Sequence, residues 1–286
     1  MSAVPEIGSA ARTGAVLGEL AKLPAFVRRD FLDAWSYRAS FLTDIAGMLV
    51  QVVTFYFVGK MINRGVLPTF SGHQPTYVEF VVVGIALNVF VTIGLHHVAS
   101  ALQHEQWKGT LESLLMTPTA LATLQLGSVI YDLVYIPIRT IIFVVLVAVT
   151  LGLNLHYDGL LPAGVIVLFF IPFIWGLGLM SGGAVLTFKG ANIGTAAVTT
   201  LLTLGSGAYF PLQLFPDWVE KIAKANPLAI AIQGTREALI GGSGWSGVAG
   251  DVAILLPASA VSLLLGVFAF RLALARERRR GSLPLY

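Results

Sequence analysis

The chain has no cysteine, and only 12% of its 286 residues are Asp, Glu, Lys or Arg. The first absence excludes disulfides and thiol chemistry and leaves the compartment open. The second excludes an ordinary soluble domain, in which roughly a quarter of residues are charged. There is no G-x-x-x-x-G-K-[ST] phosphate loop, no G-x-S-x-G and no H-E-x-x-H. Nucleotide binding and serine or zinc hydrolysis therefore have no signature here. The period-2 alternation of barrel strands is missing as well. Met1–Leu20 holds no continuous apolar core behind basic residues, so the first apolar span is expected to stay on the protein as an anchor.

What the chain does have is hydrophobicity, at 56% of residues and a mean hydropathy of +0.81. Uncharged windows recur at Phe80–His104, Thr140–Tyr157, Gly159–Phe188, Gly190–Pro216 and Val252–Phe270. A bilayer core needs about 20 apolar residues in a helix, and in that core the backbone must satisfy its own hydrogen bonds. The fold class that follows is an all-α polytopic membrane protein. Six transmembrane helices are expected, with an N-terminal amphipathic interfacial helix and a re-entrant hairpin before the last span.

The pass along the chain gives the layout of one transmembrane domain over residues 1–286. Residues 16–37 place Leu20, Leu23, Val27 and Phe31 at helical spacing opposite Lys22, Arg28, Arg29 and Asp30, as a helix lying on a membrane surface does. Spans are expected at about Ser40–Ile62, Tyr77–Ser100, within Thr119–Leu153, at Leu160–Leu186, Asn192–Phe210 and Val248–Arg271. Pro137 is a candidate kink in the third. In the fourth, the Gly178–Gly182 spacing suits close helix approach. Residues 211–242 carry two prolines, an Asn-Pro turn and the charges of Arg236 and Glu237, too interrupted for a clean span. They read as short helices that dip into the membrane and return. Residues 271–286 form a basic tail.

Charge sets the orientation. With six spans, Arg12, Lys22, Arg28, Arg29, Arg38, Lys108, Lys189 and the five arginines from Arg271 to Arg280 share one side. Lys60, Arg64, Lys221, Lys224 and Arg236 fall on the other. The positive-inside rule puts both termini in the cytoplasm of a multi-pass cell-membrane protein. The run Arg276–Arg280 is then an anchor at anionic lipid rather than a nucleic-acid site.

Three sets of residues bear on mechanism. In the segment 101–118, Leu111, Leu114 and Leu115 form an apolar stripe, Glu105, Lys108 and Glu112 face elsewhere, and Thr117-Pro118 ends the element. Asp132 and Arg139 lie seven residues apart in the third span, as a substrate-route pair or as structural charges met by a neighbouring span. His96, His97, His104 and Glu105 cluster near a helix end without a complete metal-ligand set. Tyr209, Phe210, Phe215 and Trp218 read as an aromatic belt.

Two motifs carry a family resemblance. Glu105 followed by Gly109-Thr110-Leu111-Glu112, Leu114 and Thr117-Pro118 resembles the cytosolic loop of ABC-2 type transporter permeases, and Asn226-Pro227 with Arg236 and Leu239 resembles their motif before the last span. The resemblance implies a permease subunit of an ATP-driven exporter. It also implies a separate ATPase, in two copies, docked on Glu105, Trp107, Lys108, Gly109, Thr110, Leu111, Glu112, Leu115, Thr117 and Pro118. ATP and magnesium would sit on that partner, with no cofactor, metal or catalytic residue on this chain. A second permease copy or a related permease, and membrane lipid, complete the expected partners. Asn226, Pro227, Arg236 and Leu239 would belong to a re-entrant hairpin on the outer side. The substrate expected is amphipathic: a drug, a lipid or a lipid-linked glycan. An ATP-independent secondary transporter or channel would instead show an inverted repeat and paired mid-membrane charges. A lipid head-group enzyme would show clustered carboxylates or histidines. No repeat is visible, and the acidic residues are scattered.

Overall fold

The structure, a computed structural model of the chain, describes residues 38–61, 67–107, 137–153, 155–188 and 191–280, together with Pro24, Arg28, Phe31 and Leu32. Among these, regular structure is helical, apart from one antiparallel bridge between Phe70 and His73. The helices are α1 (Arg38–Met61), α2 (Tyr77–Trp107), α3 (Pro137–Leu151), α4 (Leu160–Thr187), α5 (Ala191–Leu204), α6 (Asp217–Lys224), α7 (Pro227–Leu239) and α8 (Gly244–Arg280). Three helical stretches among the described residues are long and apolar enough to cross a membrane: Tyr77–His96 in α2, Tyr157–Thr187, which is α4 with the 3-10 turn before it, and Gly244–Arg276 in α8. Shorter apolar helices at Ile45–Met61, Pro137–Leu151 and Gly194–Leu204 stand where the first, third and fifth spans are expected. Of the expected interfacial helix over 16–37, the four described positions are helical, and Phe31 and Leu32 are exposed.

α2 is the buried centre. Phe80, Val81, Val82, Ile85, Leu87, Phe90, Val91 and Leu95 are all nearly inaccessible, and α1, α4, α5 and α7 pack around them. The outside is apolar as well. Leu42, Val50 and Phe57 on α1, Ile141 and Val149 on α3, and Ile254, Leu264, Phe268 and Leu272 on α8 are exposed. A soluble protein rarely shows so large an apolar surface, whereas hydrocarbon solvates it at no cost.

The most extensive pairing is α4 against α8. The two run in the same direction, because their contacts climb together. Ser259 Oγ donates to Phe169 O and Ser262 Oγ to Phe173 O (2.8 Å), and further along Gly183 lies against Phe270. Gly176 sits directly against the backbone of Ser262, and Gly266 against that of Gly176. Without a hydrophobic driving force between helices in lipid, small residues and hydroxyl-to-carbonyl bonds supply the association. The close approach is thus made at Gly176, Gly183 and Gly266; Gly178 and Gly182 are also buried.

Element ends differ from expectation in three places. α2 does not stop at Ser100 but runs on to Trp107, so the first part of the 101–118 segment is the continuation of a membrane helix. Leu95–Trp107 holds neither Gly nor Pro, and nothing in it interrupts the helix. At 31 residues α2 is about 46 Å long, well beyond the roughly 30 Å hydrocarbon core. α8 likewise continues through the basic tail to Arg280. α5, by contrast, ends at Leu204 rather than Phe210. Ser206 turns its hydroxyl back to Thr203 O (2.6 Å) and accepts from Ala208 N (3.1 Å), while Gly207 adopts φ +69°, so the chain leaves the helix.

Gly176→Val is expected to lower thermal stability by about 1–3 kcal/mol, since the added carbons have no room against Ser262. Gly164→Ala, on the same helix with open space around it, is expected to change stability by no more than about 1 kcal/mol. Melting of both variants in one detergent checks the contrast.

Candidate functional site

The site is built around α7, which follows α6 through a short turn. Asn226 caps α7 by accepting from Leu228 N (3.0 Å), and Pro227 takes the first helical position, where its missing N–H costs nothing. The same Asn226 side chain donates from Nδ2 to Leu202 O (2.9 Å), on the last turn of α5. One residue thereby starts α7 and closes an orphan carbonyl of α5. The other end of α7 is also tied. Leu239 O accepts from His156 N (2.8 Å), Glu237 O accepts from Ser243 Oγ (2.9 Å), and the Glu237 carboxylate accepts from Ser71 Oγ (3.0 Å). With 13 residues, about 20 Å, α7 is too short to cross a membrane, and it packs against α2, α4 and α8.

Arg236, on the last turn of α7, is the most consequential side chain in the structure. It is 1% exposed, and its partners are main-chain carbonyls rather than a carboxylate. Nε and Nη2 donate to Phe80 O (3.0 and 2.8 Å), Nη1 to Gly207 O (3.0 Å), and Nη2 also to Ala208 O (3.0 Å). The guanidinium lies 3.4 Å from the centroid of the Phe80 ring. Gly207 and Ala208 lie in the turn after α5, where no helical ladder uses their carbonyls, and in an apolar setting such carbonyls must find a donor. The planar fork of arginine can serve three carbonyls and stack on a ring at once; an ammonium cannot. Charge-assisted bonds and desolvated cation–π contact make this a strong local lock.

The backbone is shaped to admit it. Gly84, one turn along α2 from Phe80, lies directly against the backbone of Ala208, so any side chain there would push the turn away from the arginine. Tyr77 Oη donates to Tyr209 O (2.9 Å), and Gln51 Nε2 donates to Tyr209 Oη (3.0 Å). Phe55 stacks on Tyr209, with centroids 5.2 Å apart. The turn is thus pinned from α1, α2 and α7. α2 begins beside it with a capping box: Thr76 N donates to Glu79 Oε2 (2.7 Å) and Glu79 N to Thr76 Oγ1 (3.3 Å).

Asn226 and Pro227 start α7 while Arg236 and Leu239 lie on its last turn, so the four share one helix, which Asn226 caps and Arg236 ties to α2 and to the turn after α5. Arg236 is not a flanking charge that reports orientation, since it is buried within the bundle. Tyr209 is a packing pin rather than part of an aromatic belt, while Phe210 and Trp218 are exposed. Glu105 and Trp107 lie on the last turn and a half of α2. Lys108, Gly109, Thr110, Leu111, Glu112, Leu115, Thr117, Pro118 and Asp132 lie outside the described residues. Arg139 shares the buried face of α3 with Phe143 and Val147. Among the described residues no group of His and acidic side chains is placed to hold a metal ion. Sequence reasoning missed Phe80, Gly84, Gly207 and Ala208: Phe80 supplies its ring and its carbonyl, Gly84 the lack of a side chain, and Gly207 and Ala208 carbonyls that carry no residue-type signal.

The described residues thus form a helical bundle with an apolar exterior and a buried charge bonded to internal carbonyls. Comparison with known proteins gives the family. The family model for the ABC-2 type transporter matches residues 22–240, most of the chain, and the protein belongs to that family. A relative in Porphyra purpurea, named "Putative transport permease ycf38", is 27% identical over 222 residues, covering 75% of this chain and 72% of its own length.

Arg236→Lys is expected to cost about 3 kcal/mol, because the ammonium cannot reach all three carbonyls and leaves buried acceptors unmet. Phe80→Leu keeps the Phe80 carbonyl and removes the ring alone, at a cost of about 2 kcal/mol. In a double-mutant cycle the two losses should fall short of additivity, as residues in one contact do.

Proposed function

We propose that the chain is the membrane subunit of an ATP-driven exporter, powered by a separate ATPase that docks at residues 105–118. The observation that carries the reading is the continuity of α2. The helix that holds Phe80 and Gly84 under the Arg236 lock runs unbroken to Glu105 and Trp107, where the docking segment begins. A push on that segment needs no further linkage to reach the α6–α7 pair. In this reading residues 211–242 form a re-entrant hairpin on the outer side, six spans cross the cell membrane, and both termini lie in the cytoplasm. The lysines Lys60, Lys221 and Lys224 then flank the outer face and the arginines of α8 the inner one, as the positive-inside rule requires.

Two ATPase copies would act on two permease chains, this one paired with itself or with a relative, and ATP and magnesium would be held by the ATPases. The substrate is amphipathic and loads from the cytoplasm or inner leaflet. Nucleotide binding drives transport only if the two access states bind that substrate differently.

Co-purification with a candidate ATPase tests the reading. Wild-type chain is expected to retain the ATPase and stimulate hydrolysis. Glu112→Arg with Leu115→Asp is expected to lose both while melting at the wild-type temperature. Association and rate indifferent to those substitutions would remove the docking assignment.

A further inference from the structure

A cavity of about 270 Å³ lies where the turn after α5 meets α6, α7 and the start of α8. Most of its wall is buried or half-buried; Gln213, Lys224 and Ile254 are the exposed residues at its mouth. Its polar side chains are Gln213, Lys224, Gln233, Arg236 and Asp251, so cations and a carboxylate share one small chamber.

Neither sign of charge is fully met by the protein. Arg236 has no carboxylate partner, and its carbonyl bonds use one N–H of Nε, one of Nη1 and both of Nη2. One Nη1 N–H of this fully buried guanidinium is therefore left without an acceptor among the described residues. Lys224 pairs with Glu220 (2.7 Å), but at the surface, where such pairs exchange at little cost. On the opposite wall Asp251 is half-buried, two turns into α8, and makes no hydrogen bond among the described residues. Its carboxylate lies against α7 at Gly234, where any side chain would collide with it. The charge that acts on it is a second carboxylate, that of Glu237. Two carboxylates near one another favour a cation between or beside them.

The chemistry that fits both walls is a small head with an oxyanion and an ammonium. An oxyanion accepts from Lys224 and from the remaining N–H of Arg236, and the ammonium donates to Asp251. The cation has to carry N–H groups. A trimethylammonium has none and is held by aromatic faces, whereas the one described aromatic residue in this wall is Phe80, whose ring is already covered by Arg236. The cavity is below the size usual for a drug-like ligand and suits a head group.

The surface beside the mouth names the source of that head. Ile254 opens an exposed apolar row on α8 that continues through Val261 and Leu265, spaced by seven and four residues and so on one helix face. The row is about 16 Å long, close to the hydrocarbon depth of one leaflet. We infer that this cavity holds the head of a phospholipid bearing a primary ammonium beside its phosphate, as in phosphatidylethanolamine, with an acyl chain along the Ile254–Leu265 row. The lipid is a resident ligand that bridges α6, α7 and α8 beside the Arg236 lock, not the cargo. The exporter reading only makes this leaflet the outer one, and the inference stands without it.

Native mass spectrometry of the full chain tests this, after incubation in detergent with an equimolar mixture of phosphatidylethanolamine, phosphatidylcholine and phosphatidylglycerol of identical acyl chains. Phosphatidylethanolamine is expected to be retained at least about fivefold over either of the others. Asp251→Asn keeps the shape and removes the charge; it is expected to abolish that preference at an unchanged melting temperature. Lys224→Gln is expected to lower retention severalfold, while Asp217→Asn, on α6 but outside the cavity wall, leaves it unchanged. N-methylation of the lipid head is expected to lower retention stepwise as N–H groups are lost. Free O-phosphoethanolamine, which lacks the acyl chain, is expected not to displace the lipid at equal concentration. Equal retention of the three lipids, or a preference indifferent to Asp251→Asn, would overturn the site. Displacement by equimolar free phosphoethanolamine would overturn the lipid as its occupant.

Discussion

One guanidinium group organises the end of the bundle where the chain is least regular. Arg236 closes the carbonyls of Phe80, Gly207 and Ala208 and stacks on Phe80, and those atoms belong to α2 and to the turn after α5. Each carbonyl would otherwise be a buried acceptor without a donor. In a bilayer setting, irregular backbone is tolerated where protein satisfies it, and here a single side chain does most of that. The cost of burying a charge is met by oriented dipoles and a ring face rather than by a counter-ion. That choice fixes geometry more narrowly than an ion pair, since carbonyl positions are set by backbone.

The lock gives α2 its mechanical position. The helix is gripped near its start by α7, lies at the centre of the hydrophobic core, and extends beyond the length of a membrane crossing at its other end. The α4–α8 pair, joined by Gly176, Ser262 and Gly266, forms a second, tightly packed unit against which α2 and α7 rest. A close-packed interior of this kind moves by displacement of whole elements rather than by continuous deformation. The structure thus separates a gripped central helix from a stiff backing pair.

Much of this was legible in the sequence, for identifiable reasons. Long uncharged windows and the Asn226-Pro227 turn gave the helices and the broken segment before α8, because length, hydropathy and helix caps are written in residue types. Arg236 and Glu237 also stood out as charges interrupting an apolar stretch. What Arg236 grips did not, because Phe80, Gly207 and Ala208 contribute carbonyl oxygens that every residue has. The end of α5 was misplaced by the apolar character of Gly205–Phe210, where Ser206 and a left-handed Gly207 break the helix despite suitable hydropathy. Tyr209 looked like a belt residue by composition and proved to be a pin, because side-chain direction after a tight turn has no periodicity to read.

The central claim is that Arg236 joins α7, the 205–209 turn and the start of α2 into one cooperative unit. Hydrogen–deuterium exchange in nanodiscs tests it most directly, comparing wild type with Arg236→Lys. The account predicts that amides of residues 80–84, 205–209 and 231–240 lose protection together, while those of α4 and α8 around Gly176 and Ser262 keep theirs. Faster exchange confined to the immediate neighbours of residue 236, with residues 80–84 and 205–209 unchanged, would contradict it.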